Sequence, residues 1–156
     1  MPVLPPKGLC LEMTAETIAI ASDHAGLPLK QALKSELERS GLGVLDLGTD
    51  AADSVDYPDF ADKLAAVLKA GKAKRGVLVC GTGIGISMAA NRHRHVRAAL
   101  CHDATSARLA RQHNDANVLA LGARLIGEET AKECLRVFLN TAYEGGRHVR
   151  RVAKMS

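Results

Sequence analysis

The chain has no tryptophan, two tyrosines and two phenylalanines. Platforms that stack nucleic-acid bases are built from such rings, so their scarcity excludes an RNA-stacking surface. Cysteines are few and scattered: Cys10, Cys80, Cys101 and Cys134 form no C-x-x-C pair. That argues against a structural zinc site and a disulfide framework, and it fits a reducing compartment. No apolar run approaches the roughly 20 residues that span a bilayer. The N-terminus lacks the charged start and long apolar stretch of a secretory signal. An excess of one charge is missing too. The net charge is +4 over 156 residues and forms no long block, which suits a small anionic ligand better than a nucleic-acid groove. No internal repeat and no linker divide the chain, and its length suits one domain with a substantial core.

What is present centres on residues 76–91. Gly76-Val77-Leu78-Val79-Cys80 is an apolar run that reads as a buried strand. Gly81, Gly83 and Gly85 follow at alternate positions, and Ile86 to Asn91 reads as the start of a helix. Strand, glycine loop and helix together aim backbone N–H groups at an anion. Cys80 stands where the strand ends, and a thiol beside such donors is placed to favour thiolate. Two plain readings stand beside this one. A glycine-rich turn alone is weak support for a ligand site, and a cysteine at a strand end is more often core than catalyst.

The rest of the chain alternates. Residues 1–16, with Pro2, Pro5 and Pro6, read as a poorly ordered extension, and residues 17–156 as one domain ending in a basic tail. Strands are expected at Thr17–Ala21, Val44–Leu47, Gly76–Cys80, Arg97–Cys101 and Val118–Leu121. Helices are expected from Pro28 to the stop at Gly41, over Pro58–Ala70, Gly85–Asn91 and Ala104–Gln112, and over Glu128–Tyr143. Five strands interleaved with five helices imply an α/β fold with a parallel sheet covered on both faces. Ligands of such sheets bind at the carboxyl ends of the strands, where the winding reverses. The loop with Asp23 and His24 should therefore lie beside Cys80 and Thr82. Asp103, His113, Asn114 and Asp115 are expected to be within reach of the same edge. Asp23 also reads as a plain helix cap, and His113-Asn114-Asp115 as a plain helix-ending turn.

Six motifs occur in order: Ser22-Asp23-His24-Ala25-Gly26; Asp56-Tyr57-Pro58; Cys80-Gly81-Thr82-Gly83-Ile84-Gly85-Ile86-Ser87; Ala89-Ala90-Asn91; Arg111-Gln112-His113-Asn114-Asp115-Ala116-Asn117-Val118-Leu119; and Tyr143-Glu144-Gly145-Gly146-Arg147-His148. Together they closely resemble the family that holds the B-type ribose-5-phosphate isomerases and the galactose-6-phosphate isomerase subunits. The resemblance covers about Thr17 to Val152. It implies a three-layer α/β/α, Rossmann-like (flavodoxin-like) fold with strand order 2-1-3-5-4. It also implies a cytoplasmic homodimer, or a tetramer built from it, with active sites at the subunit interface. The implied reaction interconverts D-ribose 5-phosphate and D-ribulose 5-phosphate through an enediolate, without metal or organic cofactor, in the non-oxidative pentose phosphate pathway.

The resemblance also implies roles. Cys80 matches the base that moves the proton between C2 and C1. Some members carry a glutamate six residues later instead; here that position is Ile86. Backbone N–H groups of Gly81, Gly83, Ile84 and Gly85 would hold the enediolate oxygen, and Thr82 would relay a proton or hold a hydroxyl. His113 matches the ring-opening acid, with Asn114 beside it and Asp23 assisting. Tyr57 would line the sugar. His24, Arg124, Arg147 and Arg151 match phosphate contacts, for which arginine's planar fork is suited. Ser22 stands where many relatives carry Cys. A six-carbon aldose 6-phosphate (allose or galactose) is the alternative substrate. A non-catalytic nucleotide-binding module is a distant rival, because G-x-G-x-G after the third strand is not the dinucleotide pattern. A cysteine phosphatase lacks its arginine, since Ile86 stands there. The acids and histidines match no standard metal set for a hydrolase.

Overall fold

Val77, Leu78 and Val79 are fully buried although they point alternately to the two faces of their strand. A strand apolar on both faces needs cover on both, the condition of a parallel sheet between helical layers. A computed structural model, which describes residues 15–156, has this architecture. In chain order the elements are β1 (Thr17–Ser22), α1 (Leu27–Arg39), β2 (Gly43–Asp46), α2 (Tyr57–Lys69), β3 (Arg75–Cys80), α3 (Ile84–Ala90), β4 (Ala98–Leu100), α4 (Ala104–Asn114), β5 (Val118–Gly122), α5 (Glu128–Asn140) and α6 (His148–Met155). The five strands are parallel in the order β2-β1-β3-β5-β4, as expected. Apart from residues 15 and 16, the expected N-terminal extension, Cys10 included, lies outside the described residues.

The strands' period of two sorts the core into two layers. Ile18, Ile20, Val77, Val79, Leu119 and Leu121 face α1, α4 and α5, where Leu33, Leu37, Leu135 and Phe138 pack on them. Ala19, Ala21, Leu78, Cys80 and Val118 face α2 and α3, and meet Phe60, Leu64 and Ile86. Cys80 is thus the last residue of the α2/α3-facing row. The edge strand β4 is closed by a side chain: Asn91 donates from Nδ2 to the Ala98 carbonyl (2.9 Å) and accepts the Ala98 N–H at Oδ1 (2.8 Å). Asn91 therefore stands in for a sixth strand at an edge open to pairing. The loop after β2 is anchored by fully buried Lys30, whose Nζ donates to Asp46 Oδ1 and to the Thr49 carbonyl, each at 2.7 Å.

The main differences from the sequence expectation are two helix ends, one added helix and a shorter β4. The fifth helix stops at Asn140 rather than Tyr143, and a sixth helix, α6, follows. In α6, His148 is buried and Val152 half-buried at i, i+4, a short apolar stripe that Gly145-Gly146 and four neighbouring cations obscure. Helix α4 runs two residues past Gln112, so His113 and Asn114 form its last turn, and Asp115 ends it in the left-handed region (φ 45°). Strand β4 spans only Ala98–Leu100. Among the described residues, no helix is long and apolar enough to cross a membrane.

Candidate active site

The carboxyl ends of β1 and β3 are neighbours, and they bring together the residues expected there. The Asp23 N–H donates to the Val79 carbonyl (3.3 Å), and its carboxylate accepts the Gly26 N–H at 3.0 Å. Gly26 has to be glycine, because a Cβ there would sit 2.5 Å from the Val79 oxygen. Asp23 is therefore the cap of its own turn as well as a buried carboxylate at the end of β1, next to the end of β3. His24 Nδ1 accepts the Val55 N–H at 3.1 Å. An imidazole that accepts at Nδ1 carries its proton on Nε2, so His24 has an N–H to offer at that nitrogen.

Cys80 is buried, and the N–H of Gly83 donates to its sulfur at 3.1 Å. Gly83 bends the loop back with φ 75°, a conformation cheap only for glycine. The Ile84 N–H donates to Thr82 Oγ1 at 3.2 Å. Two donors expected to face the substrate oxygen thus serve the sulfur and the threonine hydroxyl. Tyr57 lies on Gly85, where a Cβ would be 2.5 Å from the ring, and the Arg124 guanidinium lies over Gly81. Arg124 is fixed from the β5 side: its N–H donates to the Gly81 carbonyl, and the Ala123 N–H to that of Cys80, both at 2.9 Å. The buried thiols of Cys101 and Cys134 are pushed up to about 11 by burial, as inert core thiols are.

The second group of residues lies elsewhere. Strand β5 pairs Val118 with Gly76 and Gly122 with Cys80. His113 and Asn114 precede Val118, at the amino edge of the sheet, and the length of β3 separates them from Cys80. Four steps of about 3.3 Å make that at least ~13 Å. The expectation that His113, Asn114 and Asp115 reach the Cys80 edge within one chain is therefore corrected. A helix that returns antiparallel to the strands delivers its C-terminus to the opposite edge.

There, His113 stacks on His148, with ring centroids 4.4 Å apart and planes 16° from parallel. The Glu144 N–H donates to the Gln112 carbonyl (3.1 Å), tying the segment before α6 to the last turn of α4. Arg147, the residue that caps the start of α6, and Arg151, within it, flank His148, and both are exposed. Burial first, then the positive charges of His113, Arg147 and Arg151, hold the His148 imidazole below its ordinary value, against the pull of Glu144. Arg111, Asp115 and Asn117 of the same motif are scaffold. Arg111 bonds Asp115 (2.9 Å) and the Ala116 carbonyl (2.6 Å), and Asn117 accepts the Arg97 N–H (2.7 Å) and donates to the His95 carbonyl (2.8 Å). The sequence reading passed over Glu144 and His148 as site residues, although their i, i+4 spacing beside the double glycine was visible.

One surface thus carries a buried thiol, a carboxylate, a threonine hydroxyl, an imidazole N–H and an arginine. The other carries an imidazole, a carboxamide and two arginines. Together they can hold a phosphate and move protons on a small polyol. A sequence model of the Ribose/Galactose Isomerase family matches residues 18–155. The chain belongs to the ribose/galactose isomerase family. Ribose-5-phosphate isomerase B of Escherichia coli is 45% identical over 135 residues, covering 86% of this chain and 91% of that protein. The D-erythrulose-4-phosphate isomerase of Pectobacterium atrosepticum is likewise 45% identical, over 140 residues, covering 89% and 92%. Among solved structures, a ribose 5-phosphate isomerase of Thermotoga maritima superposes with a TM-score of 0.88 at 51% identity, covering 90% of this chain and 97% of that one. Ribose-5-phosphate isomerase B of Clostridium thermocellum gives 0.88 at 46%, covering 89% and 94%.

Proposed function

We propose that this member of the ribose/galactose isomerase family interconverts D-ribose 5-phosphate and D-ribulose 5-phosphate, and that each active site is completed by a second copy of the chain. The observation that carries the proposal is the division of the site. The thiol loop and the His113 group lie at opposite edges of the sheet, so only another chain can present His113 to Cys80. The exposed apolar residues Ile84 and Met88 lie one turn apart on α3 beside the glycine loop, and they suit a face that a second chain covers.

The chemistry follows from the two halves. Phosphate is held by the Nε2–H of His24 with Arg124, and by Arg147 and Arg151 of the second chain, through charge-assisted bonds. His113 of the second chain protonates the ring oxygen while Asp23 takes the proton of the anomeric hydroxyl, so that the bond from C1 to the ring oxygen breaks, the C1 carbonyl forms and the furanose opens. The Cys80 thiolate then takes the C2 proton. The electron pair moves to O1, and the enediolate is held by Asn114 of the second chain and by loop N–H groups other than those of Gly83 and Ile84, which serve the Cys80 sulfur and the Thr82 hydroxyl. Thr82 passes a proton between O1 and O2, and the Cys80 thiol returns its proton to C1. Tyr57, seated on Gly85, borders the sugar. None of these steps calls for a metal or organic cofactor. A free thiol base belongs in a reducing compartment, and the cysteines among the described residues are unpaired. We therefore place the protein in the cytoplasm, in the non-oxidative pentose phosphate pathway.

The Pectobacterium relative acts on a four-carbon substrate by its name, and six-carbon aldose 6-phosphates need the same base and anion site. The test is kcat/KM on a panel of ribose 5-phosphate, erythrulose 4-phosphate, allose 6-phosphate and galactose 6-phosphate, before and after chelation. The expected outcome is a preference for ribose 5-phosphate, undiminished by chelation. A preference for another sugar overturns the substrate, and activity lost on chelation and restored by a divalent ion overturns the side-chain mechanism.

A further inference from the structure

The cluster around His113 holds more than the reaction uses. One ligating atom each of His113, Glu144 and His148 lie within 4.8 Å of one another. Two imidazoles and a carboxylate are a donor set that borderline divalent ions take, with a fourth position left open to water. The frame is fixed at three points. His113 is in the last turn of α4, Glu144 is pinned by its N–H to the Gln112 carbonyl, and His148 is buried at the start of α6, its N–H on the Gly145 carbonyl (3.1 Å). His148 Nε2 is 3.9 Å from Glu144 Oε2. Tetrahedral zinc, with bonds of about 2.0–2.2 Å, holds ligand atoms roughly 3.3 Å apart. Closing the cluster therefore takes the two rings, 16° from parallel in the stack, to open apart until the planes of both pass through the ion, and a rotation of the exposed Glu144 side chain. Arg147 and Arg151 add positive charge nearby and weaken the hold on a cation.

We infer that His113, Glu144 and His148 form a binding site for a divalent transition-metal ion of the zinc type, and that its occupation withdraws His113 from proton transfer. The second half rests on the isomerase reading above. Metal here inhibits; it is not a cofactor.

Binding is tested with Zn2+ titrated into Cys80→Ala protein against a chromogenic chelator, which removes the competing thiol. The expected result is one zinc per chain, with Mg2+ excluded, and affinity at least about tenfold weaker when Glu144→Gln or His148→Gln is added. Glu144 is exposed, so its variant reports even if the buried His148 variant folds poorly. No zinc uptake by folded Cys80→Ala protein, or equal affinity with Glu144→Gln present, overturns the site. In the otherwise unmodified chain, Zn2+ should inhibit ribose 5-phosphate isomerisation reversibly, and Glu144→Gln should need at least about tenfold more zinc for the same inhibition. Equal zinc sensitivity of the two overturns the inhibitory role. Zinc bound by these three residues in a chain without isomerase activity refutes the isomerase reading alone, whereas isomerase activity without zinc uptake refutes the site alone.

Discussion

Replacing Gly83 by alanine separates the two services this glycine performs. Its φ of 75° is a conformation in which a Cβ is strained, at about 1–2 kcal/mol. A Cβ there would also stand 2.5 Å from Leu100 Cδ1 and 2.8 Å from the Leu121 carbonyl carbon. The leucine tip can turn aside, but the β5 backbone cannot, and overpacking of this kind costs about 1–3 kcal/mol. The sum, about 2–5 kcal/mol, is a large fraction of a domain's stability of about 5–15 kcal/mol. For a chain of this size it lowers Tm by roughly 5–15 °C. The strain relaxes by moving the loop, which takes the Gly83 N–H off the Cys80 sulfur, so kcat should fall about tenfold to a hundredfold. Gly127→Ala is the control. Gly127 has ordinary extended geometry (φ −77°) and nothing within 4 Å of an added Cβ, so its effect should stay within about 1 kcal/mol. Thermal unfolding followed by circular dichroism, with kcat on ribose 5-phosphate, measures both. A Gly83→Ala protein with unchanged Tm and kcat would falsify this account of the loop.

Cys80→Ala should lower kcat by about three orders of magnitude or more, at least ~4 kcal/mol of barrier, and stop exchange of the substrate C2 hydrogen with solvent deuterium. KM should change little, because the phosphate contacts remain; near-normal turnover would shift the base to Asp23. Arg147→Ala should act mainly on KM, with a loss of about 2 kcal/mol for a charge-assisted contact, and an unchanged KM would remove Arg147 from the phosphate site. Acid should destabilise the fold through Asp46 and Glu16. Burial alone would raise Asp46, but hydrogen bonds from Lys30 and Gly48 and the charges of Lys30 and Lys34 outweigh it and hold the carboxyl below its ordinary value. Glu16 is held low by its bonds to Arg75. A depressed carboxylate stabilises above its unfolded value, so stability should fall as pH drops past 4.5 and 3.8, the ordinary values of the two groups. Asp46→Asn should flatten that limb in urea titrations at several pH values, and an unaltered acid limb would remove Asp46 from the explanation.

The Cys80 half of the site was legible in the sequence for a physical reason. A strand apolar on both faces has to be central, the next residues are glycines, and the reversal beside it names β1 as the neighbour, which places Asp23 and His24. The second half was harder. Chain order puts His113 after a strand and a helix, and Asp115 beside it reads as within reach of the same edge, though it is held by Arg111 at the end of α4. The direction of α4 decides where His113 stands, and a helix antiparallel to its strands carries it to the far edge. Helix α6 was hidden because Gly145-Gly146 and four cations mask a stripe with one buried histidine and one half-buried valine. The contact of the Gly83 N–H with the Cys80 sulfur depends on a loop curvature that spacing alone does not specify.

The central claim is a site shared between two chains, and mixing tests it most directly. Cys80→Ala and His113→Ala proteins, each inactive, are combined in equal amounts under conditions where subunit exchange is demonstrated by mass-tagged chains. In a mixed dimer one site carries both substitutions and the other carries neither. Random pairing makes half of the dimers mixed, so the mixture should recover about a quarter of the activity of the unsubstituted protein. An inactive mixture with exchange proven would place Cys80 and His113 in the same chain's site, or His113 outside the reaction, and would contradict the account.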